Sequence, residues 1–265
     1  MFANLANLFR YRGLVQSLVA RELKARYRGS ALGFLWSFIN PLLLLLIYSF
    51  VFTTVMPNET IGVQPYQLFM FCGILPWTWF SSSLSDAAGS LISGGNLIKK
   101  VLFPAEVLPL VSVLTNMVHF FLGLPILILF LLVYRHYPNP ANLAWFPVAV
   151  AVQLLFTSAL ALIVSALAVH FRDIRDILAN ILTLWFFATP IIYPWFQPSV
   201  QRFHLFFDVN PFTHLAVSYQ EILFFNNGPV GHWKWLVALG ATSVLLFLGG
   251  YWLFDRLRDS FAEAV

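Results

Sequence analysis

Charge is scarce in this chain. Only 10% of its 265 residues are Asp, Glu, Lys or Arg, against roughly 25% in ordinary soluble domains. Hydrophobic residues make up 60%, more than a soluble globule can hide, so the composition points to an integral membrane protein. Cysteine is nearly absent: Cys72 stands alone in an apolar run, which excludes a disulfide framework. No G-x-x-x-x-G-K-S/T loop occurs, so the usual phosphate cradle of a nucleotide hydrolase is missing. The six histidines (His119, His136, His170, His204, His214 and His232) are scattered, with no two at metal-binding spacing on one helix. The opening MFANLANLFRYRG lacks the apolar core and small-residue cleavage site of a signal peptide. The first span is therefore expected to act as an uncleaved anchor.

Ionisable groups are also missing from the apolar segments, His119 being the clearest exception. An ion-driven transporter is expected to keep carboxylates or bases at mid-depth. A membrane enzyme acting on a lipid-linked substrate needs acids or histidines converging at one interface, and the sequence does not insist on such a cluster. Glu22, Asp86, Glu106, Asp173, Asp176, Asp255, Asp259 and Glu263 fall on one side or at span ends, and Glu59, Asp208 and Glu221 on the other. Energy for any transport is thus expected from outside the chain, from a soluble ATPase on its basic surface.

What is present is a series of apolar runs near the ~20 residues that a span requires. They cover Leu32–Val55, Tyr66–Leu84, Val107–Val133, Trp145–Val169, Ile177–Tyr193 and Trp233–Phe254. The fifth is short and ends in Thr189-Pro190 and Tyr193-Pro194. The stretch His204–Phe225 is interrupted by Asp208, Asn210-Pro211, His214 and Glu221, which suits short re-entrant or interfacial helices. Basic residues gather between alternate runs. Arg10, Arg12, Arg21, Lys24, Arg26, Arg28, Lys99, Lys100, Arg172, Arg175, Arg256 and Arg258 share one side, and Arg135, Arg202 and Lys234 lie on the other. The positive-inside bias puts both termini in the cytoplasm, a parity that six spans satisfy. This asymmetry accounts for the net charge of +4 without a nucleic-acid partner.

The chain is organised around Ala20–Tyr48, in which a basic amphipathic half turns within a few residues into a spanning half. That is a mechanical link from surface to membrane. Residues 87–106 carry NLIKKVLF between Gly94-Gly95 and Pro104, the punctuation of a short surface helix. HFRDIRD, residues 170–176, repeats an Arg-Asp pair at three-residue spacing, expected on one helical face. Aromatics are abundant, with 28 Phe, nine Trp and nine Tyr. Clusters fall at Trp36, Phe38 and Tyr48, at Trp77, Trp79 and Phe80, and at Tyr193, Trp195 and Phe196. Many such rings belong to an interfacial belt, but a line of them also suits a sliding sugar chain.

The strings RELKARYRGSALGFLWSFINPLLLLLIY, GNLIKKVLFPAEVLPL, HFRDIRDI, TPIIYP and NPF together resemble the permease subunits of ABC-2 type polysaccharide exporters, which serve O-antigen, teichoic acid or capsule. The resemblance runs in order over residues ~20–215, beyond which only the character of the chain matches. It implies a polytopic, all-α integral membrane protein of the cytoplasmic (inner) membrane. Six transmembrane helices would be joined by an N-terminal interface helix (1–30), a coupling helix (87–106) and short outer-leaflet helices in an external loop (194–232). It implies a homodimer with two copies of an ABC ATP-binding subunit, moving a lipid-linked polysaccharide through a canal between the copies. Covalent chemistry is absent from this chain, and ATP and Mg belong to the partner subunit. Contacts to the ATPase are expected at Arg21, Glu22, Lys24, Arg26 and Tyr27, at Asn96, Leu97, Ile98, Lys99, Lys100 and Phe103, and at Arg172 and Asp173. The canal is expected to use Trp36, Tyr48, Trp77, Trp79, Phe80, Tyr193, Trp195 and Phe196. Competing readings are an ABC-2 exporter of a smaller molecule or lipid, an ion-driven flippase of lipid-linked sugars, and a membrane-embedded glycosyl or phosphoglycosyl transferase.

Overall fold

A computed structural model describes residues 11–55, 63–99, 103–171, 173–225 and 229–264. Among the described residues there is no strand, and every regular element is helical. The first, α1 (Arg12–Arg26), lies on the surface. Its apolar residues Leu14, Val15, Leu18 and Val19 pack against Val107 and Val111. The chain then turns at Gly29 and Gly33, both at positive φ, where a side chain is disfavoured. A single 3-10 turn leads into α2 (Trp36–Phe50). This helix is the most lightly packed of the long apolar ones: 11% of the Gly33–Phe50 window is buried, against 56% for Pro140–His170.

The centre of the protein is α3 (Tyr66–Ser93). Its 28 residues rise about 42 Å at 1.5 Å each. It is packed by α5 (Val107–Val133) and α7 (Phe146–His170), with the one-turn α4 (Gly95–Ile98) and α6 (Pro140–Leu143) preceding them. Gln153 Nε2 donates to the Pro76 carbonyl at 2.8 Å and Trp79 Nε1 to that of Val113 at 3.1 Å. Next come α8 (Ile174–Phe187), α9 (Pro198–Gln201), α10 (His204–Val209), α11 (Pro211–Leu223) and α12 (Trp233–Ala264). Helix α12 lies along α7 so closely that a Cβ on Gly250 would stand 2.9 Å from the Ala159 carbonyl oxygen.

Among the described residues, four helical stretches are long and apolar enough to cross a membrane: Gly33–Phe50, Val107–Val133, Pro140–His170 and Trp233–Arg258. The other two expected spans differ in kind. In α3 the serines and Asp86 dilute the apolar run, and neighbouring helices cover it. The fifth stretch, α8, has 14 residues, about 21 Å, short of the ~30 Å hydrocarbon core. Its end is held by the Asn210-Pro211 corner. Asn210 Oδ1 caps α11 through Phe212 N–H (3.0 Å) and accepts from Trp185 Nε1 (2.7 Å). Asn210 Nδ2 donates to the Ala188 carbonyl (2.9 Å) and to Thr189 Oγ1 (3.0 Å).

Three sequence expectations are corrected. The second run does not end at Leu84, since α3 continues to Ser93 and takes up residues assigned to the surface helix. Among the described residues after α3, that helix keeps one turn, Gly95–Ile98, set off by Gly94-Gly95, which disfavours continuation of α3. Of the two Arg-Asp pairs, expected on one helical face, Asp173 and Asp176 do not lie within one helix. Helix α7 ends at His170, Phe171 is extended (φ −124°, ψ 107°), and α8 begins after Asp173 as its N-cap. The last helix runs ten residues past Phe254, where Phe261 packs on Phe254 with rings 5.1 Å apart.

Candidate functional site

Two neighbouring hollows and a polar knot sit between α1, α2, α3, α5 and α8. The first hollow is a groove of about 440 Å³. Its walls are Leu44 and Tyr48 from α2, Trp77, Thr78, Ser81 and Ser85 from α3, and Leu182, Thr183 and Phe186 from α8. The residues of α3 recur three or four apart, which places them on one helical face. Each serine and threonine hydroxyl donates its hydrogen to its own helix. Thr78 bonds the Ile74 carbonyl at 2.9 Å, Ser81 that of Thr78 at 3.5 Å, Ser85 that of Ser81 at 2.9 Å, and Thr183 that of Ala179 at 2.9 Å. A hydroxyl that has spent its hydrogen still offers oxygen lone pairs. The groove therefore presents uncharged acceptors, fitted to a ligand rich in O–H donors. Beyond its end on the same face, Arg175 lies against Gly89, with Nη2 3.6 Å from where a Cβ would be.

The second hollow, about 480 Å³, opens beside the first and shares Leu44, Ile74 and Thr78 with it. One end is polar, with Arg26, Tyr27, Ser30, Asn40, Asn116 and His119. The other is apolar, with Leu75, Phe71, Trp79 and Phe120.

The polar knot closes this hollow at the end of the bundle that carries the basic residues of α1. Arg26 Nη2 donates to Asp86 Oδ2 at 2.6 Å, and its Nη1 donates to Asn116 Oδ1 at 3.3 Å. Asn116 Nδ2 donates to the same Asp86 oxygen at 2.8 Å. The Tyr27 hydroxyl lies 2.7 Å from Ser37 Oγ and 3.4 Å from His119 Nδ1. The other ring nitrogen, His119 Nε2, is buried without a hydrogen-bond partner. Two hydrogen-bonded sets, Arg26–Asp86–Asn116 and Tyr27–Ser37–His119, thus tie the end of α1 and its C-cap to α2, α3 and α5, so a displacement of α1 is felt by three apolar helices.

The residues proposed from sequence fall in several places. Arg21, Glu22 and Lys24 are exposed on α1, whereas Arg26 and Tyr27 belong to the knot. Asn96 and Lys99 are exposed, and Leu97 and Phe103 pack between α1 and the Tyr251, Phe254 and Phe261 cluster of α12, with Ile98 in that cluster. Asp173 is exposed ahead of α8, and Lys100 and Arg172 lie outside the described residues. Tyr48 and Trp77 line the groove; Trp36 and Trp79 line the second hollow. Phe80 is fully interior, stacked on Phe156 at 5.7 Å and tilted on Phe212 at 4.7 Å. Tyr193, Trp195 and Phe196 sit beyond α8 at the opposite end. There Tyr193 bonds the Phe187 carbonyl (2.7 Å), and Trp195 and Phe196 line a separate cleft with Glu221 and Asn142.

Sequence reasoning overlooked Thr78, Ser81, Ser85, Ser37 and Asn116. The spacing of the first three was a readable signal. The others had none, because Arg26 and Asn116 are 90 positions apart.

A family profile described as ABC-2 type transporter matches residues 13–224. The chain is similar to the O-antigen export system permease protein RfbA of Myxococcus xanthus, with 44% identity over 260 residues and 97% of each chain covered. It is also similar to the permease of the same name from Klebsiella pneumoniae, with 34% identity over 260 residues, covering 98% of this chain and 96% of the relative.

Proposed function

The chain belongs to the ABC-2 type transporter family, and from that premise we propose that it is the membrane subunit of an ATP-driven exporter of a lipid-linked, O-antigen-like polysaccharide. The hydroxyl-lined groove carries this reading. An uncharged row of acceptors inside an otherwise apolar protein suits a neutral polyol better than an ion or an apolar drug, and aromatic Tyr48, Trp77 and Phe186 supply faces for sugar rings.

In this proposal the protein is a six-span protein of the inner membrane with both termini in the cytoplasm, α3 and α8 supplying the two spans that are less apolar or shorter than the other four. Two copies face each other across α2 and α8, whose exposed Leu43, Ile47, Ile181 and Leu184 make an apolar rim, and the paired grooves become the canal. Two copies of a separate ABC subunit hydrolyse ATP and seat on α1 and the segment Asn96–Phe103. When they close, α1 moves. The Arg26–Asp86–Asn116 knot carries that motion to α3 and α5 and widens the groove, and the glycan advances. This chain transports and makes no covalent bond.

The test is co-purification with the adjacent ATPase, ATP hydrolysis in nanodiscs, and surface glycan on cells carrying the variants. A stoichiometric complex is expected, and Lys99→Glu is expected to weaken it. A chain that purifies alone and exports glycan without ATP would overturn the reading in favour of an ion-driven flippase.

A further inference from the structure

Glu106 stands immediately before α5 with its side chain 4% exposed. Oε2 has no hydrogen-bond partner and lies 3.7 Å from Arg258 Nη1, while Oε1 accepts from the Tyr251 hydroxyl at 3.5 Å. Arg258 Nη2 donates to the Phe103 carbonyl at 3.4 Å. All of these contacts are long. A carboxylate this buried is costly unless tightly paired, and replacing such a pair with apolar groups is often neutral or stabilising. Stability alone therefore does not account for an acid here.

Its position does. Tyr251 and Arg258 are seven residues apart on α12, hence on one face. The Phe103 ring packs toward both α1 and the end of α12. Arg258 is a fork with one prong on a fixed acid at the head of α5 and the other on the backbone that closes the Asn96–Phe103 segment. Guanidinium geometry permits both at once; an ammonium is a point donor and does not span them equally.

We propose that Glu106 and Arg258 form a clasp tying the end of α12 to the Phe103 carbonyl, through which movement of the Asn96–Phe103 segment is passed to α12 and so to α7. They are positioning residues. The proposal rests on the reading of that segment as the ATPase contact.

The experiment uses the full complex with its ATPase in nanodiscs and compares Arg258→Ala, Arg258→Lys and Glu106→Gln. Amide exchange is followed at Val107 and Leu108, whose N–H groups bond the Pro104 and Ala105 carbonyls at 3.1 Å. Loss of one hydrogen bond is expected to speed that exchange about fivefold. Export per ATP is expected to fall at least about fivefold, the low end of ordinary coupling factors, with ATP hydrolysis within about twofold of wild type. Arg258→Lys recovers part of the loss. The double variant Glu106→Gln/Arg258→Ala is no worse than either single one, as for residues that act as a unit. Should Arg258→Ala fail to assemble, the near-isosteric Glu106→Gln decides the same question. Unchanged exchange, or faster exchange with export per ATP intact, overturns the clasp. If Lys99→Glu leaves both ATPase binding and export untouched, the coupling reading fails instead, whatever the exchange data show.

Discussion

Removing the Asp86 carboxylate is the most direct probe of how the surface helix is held. The Arg26–Asp86 pair measures 2.6 Å, but its side chains are 33% and 38% exposed. Solvent screening discounts it to the ~0–1 kcal/mol of exposed pairs. Asp86 also orients Asn116, whose Oδ1 accepts from Arg26 Nη1, and losing that second bond of Arg26 adds about 1 kcal/mol. Asp86→Ala is therefore expected to loosen α1 by about 1–2 kcal/mol, a factor of roughly 5–30 in the docked-to-undocked ratio. The only cysteine, Cys72, is buried, so a spin label on Lys24→Cys reports α1 alone. The label should gain a mobile component in Asp86→Ala and a smaller one in Asp86→Asn, which keeps an acceptor oxygen. Arg26→Ala should give the same effect, and the double variant should add little to it. Arg21→Ala, at an exposed site, should stay within about 0.5 kcal/mol of wild type. Full additivity of Arg26→Ala and Asp86→Ala, or an immobile label in Asp86→Ala, would refute the claim that the knot docks α1.

Thr78→Val, Ser81→Ala and Ser85→Ala combined should slow glycan export while leaving the melting temperature nearly unchanged, because these hydroxyls bond only their own helix; export at the wild-type rate would remove the groove from the path. Gly250→Leu should destabilise by about 1–3 kcal/mol through overpacking against the Ala159 carbonyl, read as a lower melting temperature in detergent. Asn210→Ala should cost about 1–2 kcal/mol for the lost cap alone and more for the bonds to Ala188, Thr189 and Trp185. Amide exchange at the end of α8 should rise with it, and a protected α8 end would count against the corner.

The apolar runs were legible because a bilayer imposes a minimum length on any helix that crosses it. Helix ends were not, since they are set by packing: α3 continues to Ser93 beneath its neighbours, and α12 continues to Ala264 because Phe254 and Phe261 meet. The HFRDIRD repeat looked helical from its spacing, yet α7 stops at His170 and Phe171 is extended, so periodicity was overridden there. At the candidate site, Arg26 and Tyr27 stood out by charge and context, but their partners come from α2, α3 and α5. Nothing local in the sequence pairs positions 60 to 90 residues apart. Aromatic rings drew the reading toward Trp79 and Phe80, whose bulk serves the interior. The wall of the groove is made by small hydroxyls, visible in the sequence only as a face at positions 78, 81 and 85.

The length of α12 also limits how the gene is free to change. Its 32 residues rise about 48 Å, roughly 18 Å more than the hydrocarbon layer, and Arg258 rides on that overhang. Each inserted residue turns everything downstream by about 100°. One codon gained between Gly250 and Arg258 swings the guanidinium away from Glu106 and Phe103, whereas four codons nearly restore its bearing but lift it a full turn. Insertions and deletions between Gly250 and Phe261 are thus expected to be poorly tolerated, because the phase of α12 is what brings Arg258 to Glu106 and Phe261 to Phe254.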